Sequence, residues 1–104
     1  MVIEWLKFRV AAQLREEFII QDEAIWTTML AQYPGFLGKE IWLNPQQAEE
    51  VVIVIRWQTR EQWFAIPQAD LELTEQKFNQ ALGGNYDMVE SKEYQVRKFP
   101  HTDF

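Results

Sequence analysis

A chain of 104 residues that is 47% hydrophobic, 25% charged and carries a formal charge of -6 has the size and make-up of one globular domain, spanning 1–104. Its ten Lys and Arg residues stand singly or in pairs, so no basic stripe follows a phosphate backbone and nucleic acid is excluded as a partner. The absence of cysteine excludes disulfides, thiolate nucleophiles and Cys-ligated metal together.

The opening segment MVIEWLKFRV alternates, with Leu6, Phe8 and Val10 on one face and Ile3, Trp5, Lys7 and Arg9 on the other, which is the period of a strand. Glu4, Lys7 and Arg9 also bar this segment from acting as the apolar core of a signal peptide. No apolar run reaches the roughly 18 residues of a membrane span. A cytoplasmic protein with no membrane partner is the expectation. From about Ala12 to Gln32 the spacing changes to that of an amphipathic helix: Leu14, Phe18, Ile25 and Met29 form a stripe with Trp26, Leu30 and Tyr33 beside it. The acidic Glu16, Glu17, Asp22 and Glu23 are assigned to the solvated face. Pro34-Gly35 stops the helix, because proline disfavours helical geometry at Tyr33 and glycine takes the turn.

Phe36 to Leu43 reads as a second strand, interrupted at Gly38 by a bulge or a close backbone approach. The polar segment QQAEE separates it from VVIVIRW, Val51 to Trp57, whose run of β-branched residues fits a central strand covered on both faces. Thr59 with Gln62 three residues on is a capping-box pattern that starts a second helix at Arg60. Pro67 divides that helix into two pieces, and Gly83-Gly84 ends it. The half-polar stretch YDMVESKEYQVRKF then reads as an edge strand defended by charge.

The resulting order, βαββαβ, is that of a ferredoxin-like α+β fold: a four-stranded antiparallel sheet with two helices on one face. The other face, bearing Ile3 and Trp5, is too apolar to leave wet. A second copy of the same sheet is its simplest cover, so a homodimer is expected, with Ile3, Trp5, Trp42 and Arg56 at the interface and Arg56 in an ion pair there, the alternative for Arg56 being an anion-binding role.

The stretch PGFLGKEIWLNP, followed by VVIVIRWQTREQWFAI, resembles the recurring pattern of the dimeric α+β barrel superfamily that includes the antibiotic-biosynthesis monooxygenases. WFAIPQADL also resembles a branch of that superfamily found in cyanobacteria. The resemblance implies two sheets facing each other in a dimer and, in each subunit, a pocket between sheet and helices. Members include cofactor-free oxygenases of polycyclic substrates, haem-degrading oxygenases, isomerases, and proteins that only bind a ligand, so fold alone does not choose a reaction.

Within such a pocket the wall candidates are Trp57, Trp63 and Phe64, where the most buried strand meets the second helix, and Trp26 and Tyr33 on the first. Their alternative role is ordinary core packing. Two functions remain open: a dimer that binds a small apolar or aromatic molecule without catalysis, or a cofactor-independent monooxygenase acting on an aromatic substrate. Neither calls for a cofactor, and no metal spacing is present. His101, the single histidine, has no second ligand near it. The haem-degrading branch places a liganding His on its second helix, whereas Gln62 to Leu82 here holds Gln68, Gln76 and Gln80 and neither His nor Cys. Titration with hemin should accordingly give no sharp axial-ligand Soret shift; one that persists in His101→Ala would mean that the second helix is misplaced.

Overall fold

The alternating N-terminus forms β1 (Val2–Val10), and its inward-facing Phe8 and Val10 enter the core. The structure, a computed structural model, describes residues 1–99; His101 lies outside the described residues. After β1 come β2 (Phe36–Asn44), β3 (Gln47–Trp57) and β4 (Tyr86–Gln95), joined in the order β2-β3-β1-β4. All three pairings are antiparallel. The helices α1 (Arg15–Gln21), α2 (Thr28–Leu30), α3 (Arg60–Phe64) and α4 (Gln68–Leu82) complete the ferredoxin-like α+β fold. Among the described residues no helix is long and apolar enough to cross a membrane.

The core lies between one sheet face and the helices. Val51, Ile53, Ile55 and Trp57 of β3 join Phe18, Leu30, Ile66, Phe78 and Leu82 from the helical layer. Every residue from Val51 to Ile55 is buried: Val51, Ile53 and Ile55 lie under the helices, and Val52 and Val54 on the other face are hemmed in by large side chains of the flanking strands, such as Trp5 and Trp42.

Two elements differ from the sequence reading. QQAEE is no separator, since β3 begins at Gln47 and Asn44 pairs directly with it. Asn44 Oδ1 accepts from the Gln46 N–H at 2.9 Å, so the side chain closes a tight turn at Pro45-Gln46 and the polar residues run on as an exposed end of the ladder. The first helix is also not uniform: a 3-10 turn at Ala12–Leu14 precedes α1, and a π-helical segment, Asp22–Thr27, links α1 to α2. There the Thr28 N–H reaches the Glu23 carbonyl five residues back, and the Thr28 hydroxyl donates to the same oxygen at 3.1 Å.

The Pro34-Gly35 stop docks onto the start of α3. The Gln58 N–H donates to the Gly35 carbonyl at 2.7 Å, and Thr59 Oγ1 accepts from the Gln62 N–H at 3.1 Å, the cap that the sequence predicts. Gly35 has a φ of 93°, and a Cβ there would stand 2.3 Å from Gln62 Oε1. Thr59→Ala should cost about 0.5–2 kcal/mol, read as a lowered urea midpoint. Gly35→Ala should cost more, because positive φ and steric conflict act together.

Candidate functional site

A strand that alternates across a packed sheet sends every second residue into the core, and twice here that residue is charged. Glu4 pairs with Ile55 across β1 and β3, and Lys39 pairs with the same Ile55 across β2 and β3. The two charges therefore lie in one row on the helix-facing side, with Ile55 between them. Lys39 is neutralised by Asp22, Nζ to Oδ2 at 2.7 Å, and both side chains are at most 5% exposed. Burial pushes the Asp22 carboxyl above its ordinary range, and the Lys39 ammonium offsets part of that rise. Glu4 Oε1 accepts from the Trp57 indole N–H at 3.2 Å. Burial raises the Glu4 carboxyl as well, against the lowering effects of that hydrogen bond and of Lys39.

The helical side of the site depends on the π-helical segment. At 3.6 residues per turn every fourth residue of an α-helix drifts forward by about 40°; the wider π turn reverses the drift. Phe18, Asp22, Trp26 and Leu30 consequently stay on one face, and all four line a cavity between helices and sheet. Asp22, read from sequence as solvated, is buried for this reason: the change of helical period turns it inward, onto Lys39.

The cavity has a volume of about 440 Å³, within the usual range for small-molecule sites. Trp26 and Trp63 contribute walls, Phe18 and Phe78 the rear, and Glu4, Lys39, Gln68, Glu72 and Glu75 the polar positions. Tyr86 donates its hydroxyl to Glu75 Oε1 at 2.5 Å and, through burial first and that carboxylate second, is pushed up to about 12. A second cleft on the β4 side shares Glu4, Leu6, Trp63 and Met88 with the cavity and adds Ser91, Lys92 and Glu93. Among the described residues no group of three His, Cys, Asp or Glu could hold a metal ion.

Of the five wall candidates, Trp26 and Trp63 line the cavity. Trp57 does not: it is fully buried behind the wall, edge-on to Phe36 with centroids 5.7 Å apart, and bears on the site only by fixing Glu4. Tyr33 donates its hydroxyl to the Asp70 carboxylate, tying the end of the first helical stretch to α4 outside the cavity; that bond raises its pKa. Phe64 is 56% exposed, packed against Trp63 at a tilt, with the Arg60 guanidinium over its ring 4.0 Å from the centre. Successive residues of an α-helix point about 100° apart, so of the neighbours Trp63 and Phe64 in α3 only Trp63 reaches the cavity. Glu4, Lys39 and Asp22 were not singled out by the sequence reading. The alternation of β1 and β2 carries the signal for the first two, as a charge at an inward position.

On the other sheet face, Ile3 lies opposite Arg56, Trp5 opposite Val54 and Trp42 opposite Val52. Arg56 pairs with Glu40 of its own chain at 2.6 Å, and Trp42 is 46% exposed.

Residues 1–70 match the family model of the antibiotic biosynthesis monooxygenases. The chain belongs to that family. The match includes Glu4, Asp22, Lys39 and both cavity tryptophans. Solved structures agree in fold: SnoaB, a cofactor-independent oxygenase from Streptomyces nogalater, has a TM-score of 0.66 over 94% of each chain at 16% identity. HapK from Hahella chejuensis has a TM-score of 0.70 over 99% of this chain and 100% of its own, at 18% identity. Identities this low show the fold of the antibiotic biosynthesis monooxygenase family and no more. No curated protein matches the chain.

Removing Lys39 while leaving Asp22 would strand a buried charge. Lys39→Met should therefore destabilise by about 3–5 kcal/mol in chemical denaturation, and Asp22→Leu added to it should recover most of the loss. A double variant no more stable than the single would mean that the pair is not a buried unit.

Proposed function

We propose that the protein is a homodimer that binds a planar, largely apolar small molecule in the cavity between its sheet and helices. One observation carries this reading: a cavity of about 440 Å³ faced by Trp26 and Trp63 and edged by a few polar groups. Flat indole surfaces give flat ligands a large contact area at little cost in side-chain entropy. The dimer is supported by the open sheet face, where Trp42, Leu37 and Tyr94 are each about half exposed around a centre of Val52 and Val54. The charges on that face are largely matched within the chain, Arg56 by Glu40 and Lys7 by Glu50 at 3.4 Å. A second copy of the sheet can therefore cover it without burying an unpaired charge.

The second reading is cofactor-independent oxygenation of an aromatic substrate, favoured by membership of the antibiotic biosynthesis monooxygenase family. In that reading the substrate supplies the electrons to oxygen, and the cavity supplies orientation and exclusion of water.

Titrating the protein with two-ring and three-ring aromatic compounds should quench tryptophan fluorescence, and Trp63→Ala should weaken binding by about tenfold, equivalent to about 1.4 kcal/mol. Absence of binding across such a series would overturn the cavity reading. Oxygen uptake with hydroquinone-type ligands would establish the second reading; binding without uptake would favour the first. Sedimentation at micromolar protein should give about twice the chain mass of 12.5 kDa, and Trp5→Glu should shift the population towards monomer.

A further inference from the structure

Glu4 differs from the other carboxylates on the cavity wall in being partly buried while only one of its oxygens has a partner, whereas Glu72 and Glu75 are exposed to solvent. Lys39 and Asp22 are occupied with each other at 2.7 Å, Glu75 accepts from Tyr86, and Glu72 Oε1 lies 3.5 Å from Gln68 Nε2. Glu4 has one oxygen held by the Trp57 N–H, and among the described residues no donor reaches the other. That fixed bond removes the rotational freedom a glutamate ordinarily has. Glu4 is also on the wall of both the cavity and the β4-side cleft, so the carboxylate stands where an apolar chamber meets a polar one. A carboxylate in this setting offers acceptor capacity and no donor while ionised. A ligand lacking a donor would leave it desolvated and unmatched.

We infer that Glu4 is the anchoring proton acceptor of the cavity, and that the ligand is a planar apolar molecule presenting one O–H or N–H donor to its free oxygen. This rests on the cavity-binding reading and adds the polar half of recognition. A weakly acidic donor hydrogen-bonds to the carboxylate. With a more acidic one the O–H or N–H bond breaks, its electron pair stays on the ligand atom, and the proton resides on Glu4. The cleft lined by Ser91, Lys92 and Glu93 gives that proton a polar way to solvent. The raised Glu4 pKa moves the carboxyl towards neutrality, where accepting and releasing a proton are both feasible.

The charged groups around Glu4 are Lys39 on β2, Asp22 on the first helical stretch, Glu93 on β4, paired with Arg60 of α3 at 2.7 Å, Lys92 beside it, and Glu72 and Glu75 on α4. Burial raises the Asp22 carboxyl as well, so its titration can overlap that of Glu4, and a Glu4 variant separates the two.

The probes are 2-naphthol and 2-methoxynaphthalene, alike in shape and differing in the donor. The unmodified protein should bind the naphthol about tenfold more tightly at pH 8, as expected for a hydrogen bond to a charged group. The preference should decline as pH falls, because the ionised carboxylate is the better acceptor. Glu4→Gln keeps the size and can keep the Trp57 bond; it should bind the ether at least as tightly as the unmodified protein does, because no charge is then desolvated, and lose both the preference and its pH dependence. Equal binding of the two probes by the unmodified protein at every pH would overturn the role of Glu4 while leaving the cavity reading intact. Failure of both probes to bind the unmodified protein would overturn both. Should Glu4→Gln not fold, the pH course of the naphthol-to-ether ratio in the unmodified protein decides alone: a flat ratio overturns the inference.

Discussion

The helical layer of this protein has to meet a sheet face that carries two charges. Glu4 and Lys39 flank Ile55 in one row, and an unpaired charge in such a place costs several kcal/mol. Lys39 is answered by Asp22, which the change of helical period at Asp22–Thr27 turns inward. Glu4 is answered by the Trp57 indole N–H. Each answer constrains packing: the first holds the helix to β2, and the second sets the tryptophan ring at the end of β3. Glu4, Lys39, Asp22 and Ile55 all line the cavity, so this row of the sheet is its floor.

Trp57 shows how one residue serves core and site together. Its ring is fully buried and supplies packing, yet its only polar atom needs an acceptor, as buried indole N–H groups do. Glu4 provides that acceptor, so stabilising the core and orienting the site are one contact. Trp63, six residues on, stands where the Thr59 cap starts a short helix, at the wall between cavity and cleft. A capping hydroxyl and a buried indole thus place the two most important surfaces of the site.

The fold was legible because its signals are local. The alternation of β1, the β-branched run of β3, the Thr59-Gln62 cap and the Pro34-Gly35 and Gly83-Gly84 stops each act within a few residues. The start of β3 was not, since a polar run after Asn44-Pro45 looks the same as loop or as exposed ladder until the turn fixes its register. In the site, Trp26 and Trp63 could be proposed from their place on amphipathic helices. Glu4 and Lys39 were readable in principle, because the parity of Leu6, Phe8 and Ile41 already sends them inward. Asp22 was not: assigning its face requires knowing that the helix widens there, and a uniform 3.6-residue period puts it elsewhere.

The size of the cavity bears on what fills it. If about 440 Å³ were an empty apolar void, the measured dependence of stability on cavity volume would put its cost on the order of 10 kcal/mol. That is comparable to the whole stability of a typical domain, about 5–15 kcal/mol. A dry void of this kind would offset much of that stability, so water in the space is the less costly state when no ligand is bound. The polar positions make this feasible, because Glu4, Glu72, Glu75 and Gln68 can give water the two or more partners it needs. The aromatic walls give it none. A planar apolar molecule that displaces water from Trp26 and Trp63 and replaces it at Glu4 with its own donor gains from both surfaces, whereas a purely apolar one gains from the walls and loses at the carboxylate. On the proposed reading, the charges that edge the space therefore bear on which ligand it would accept.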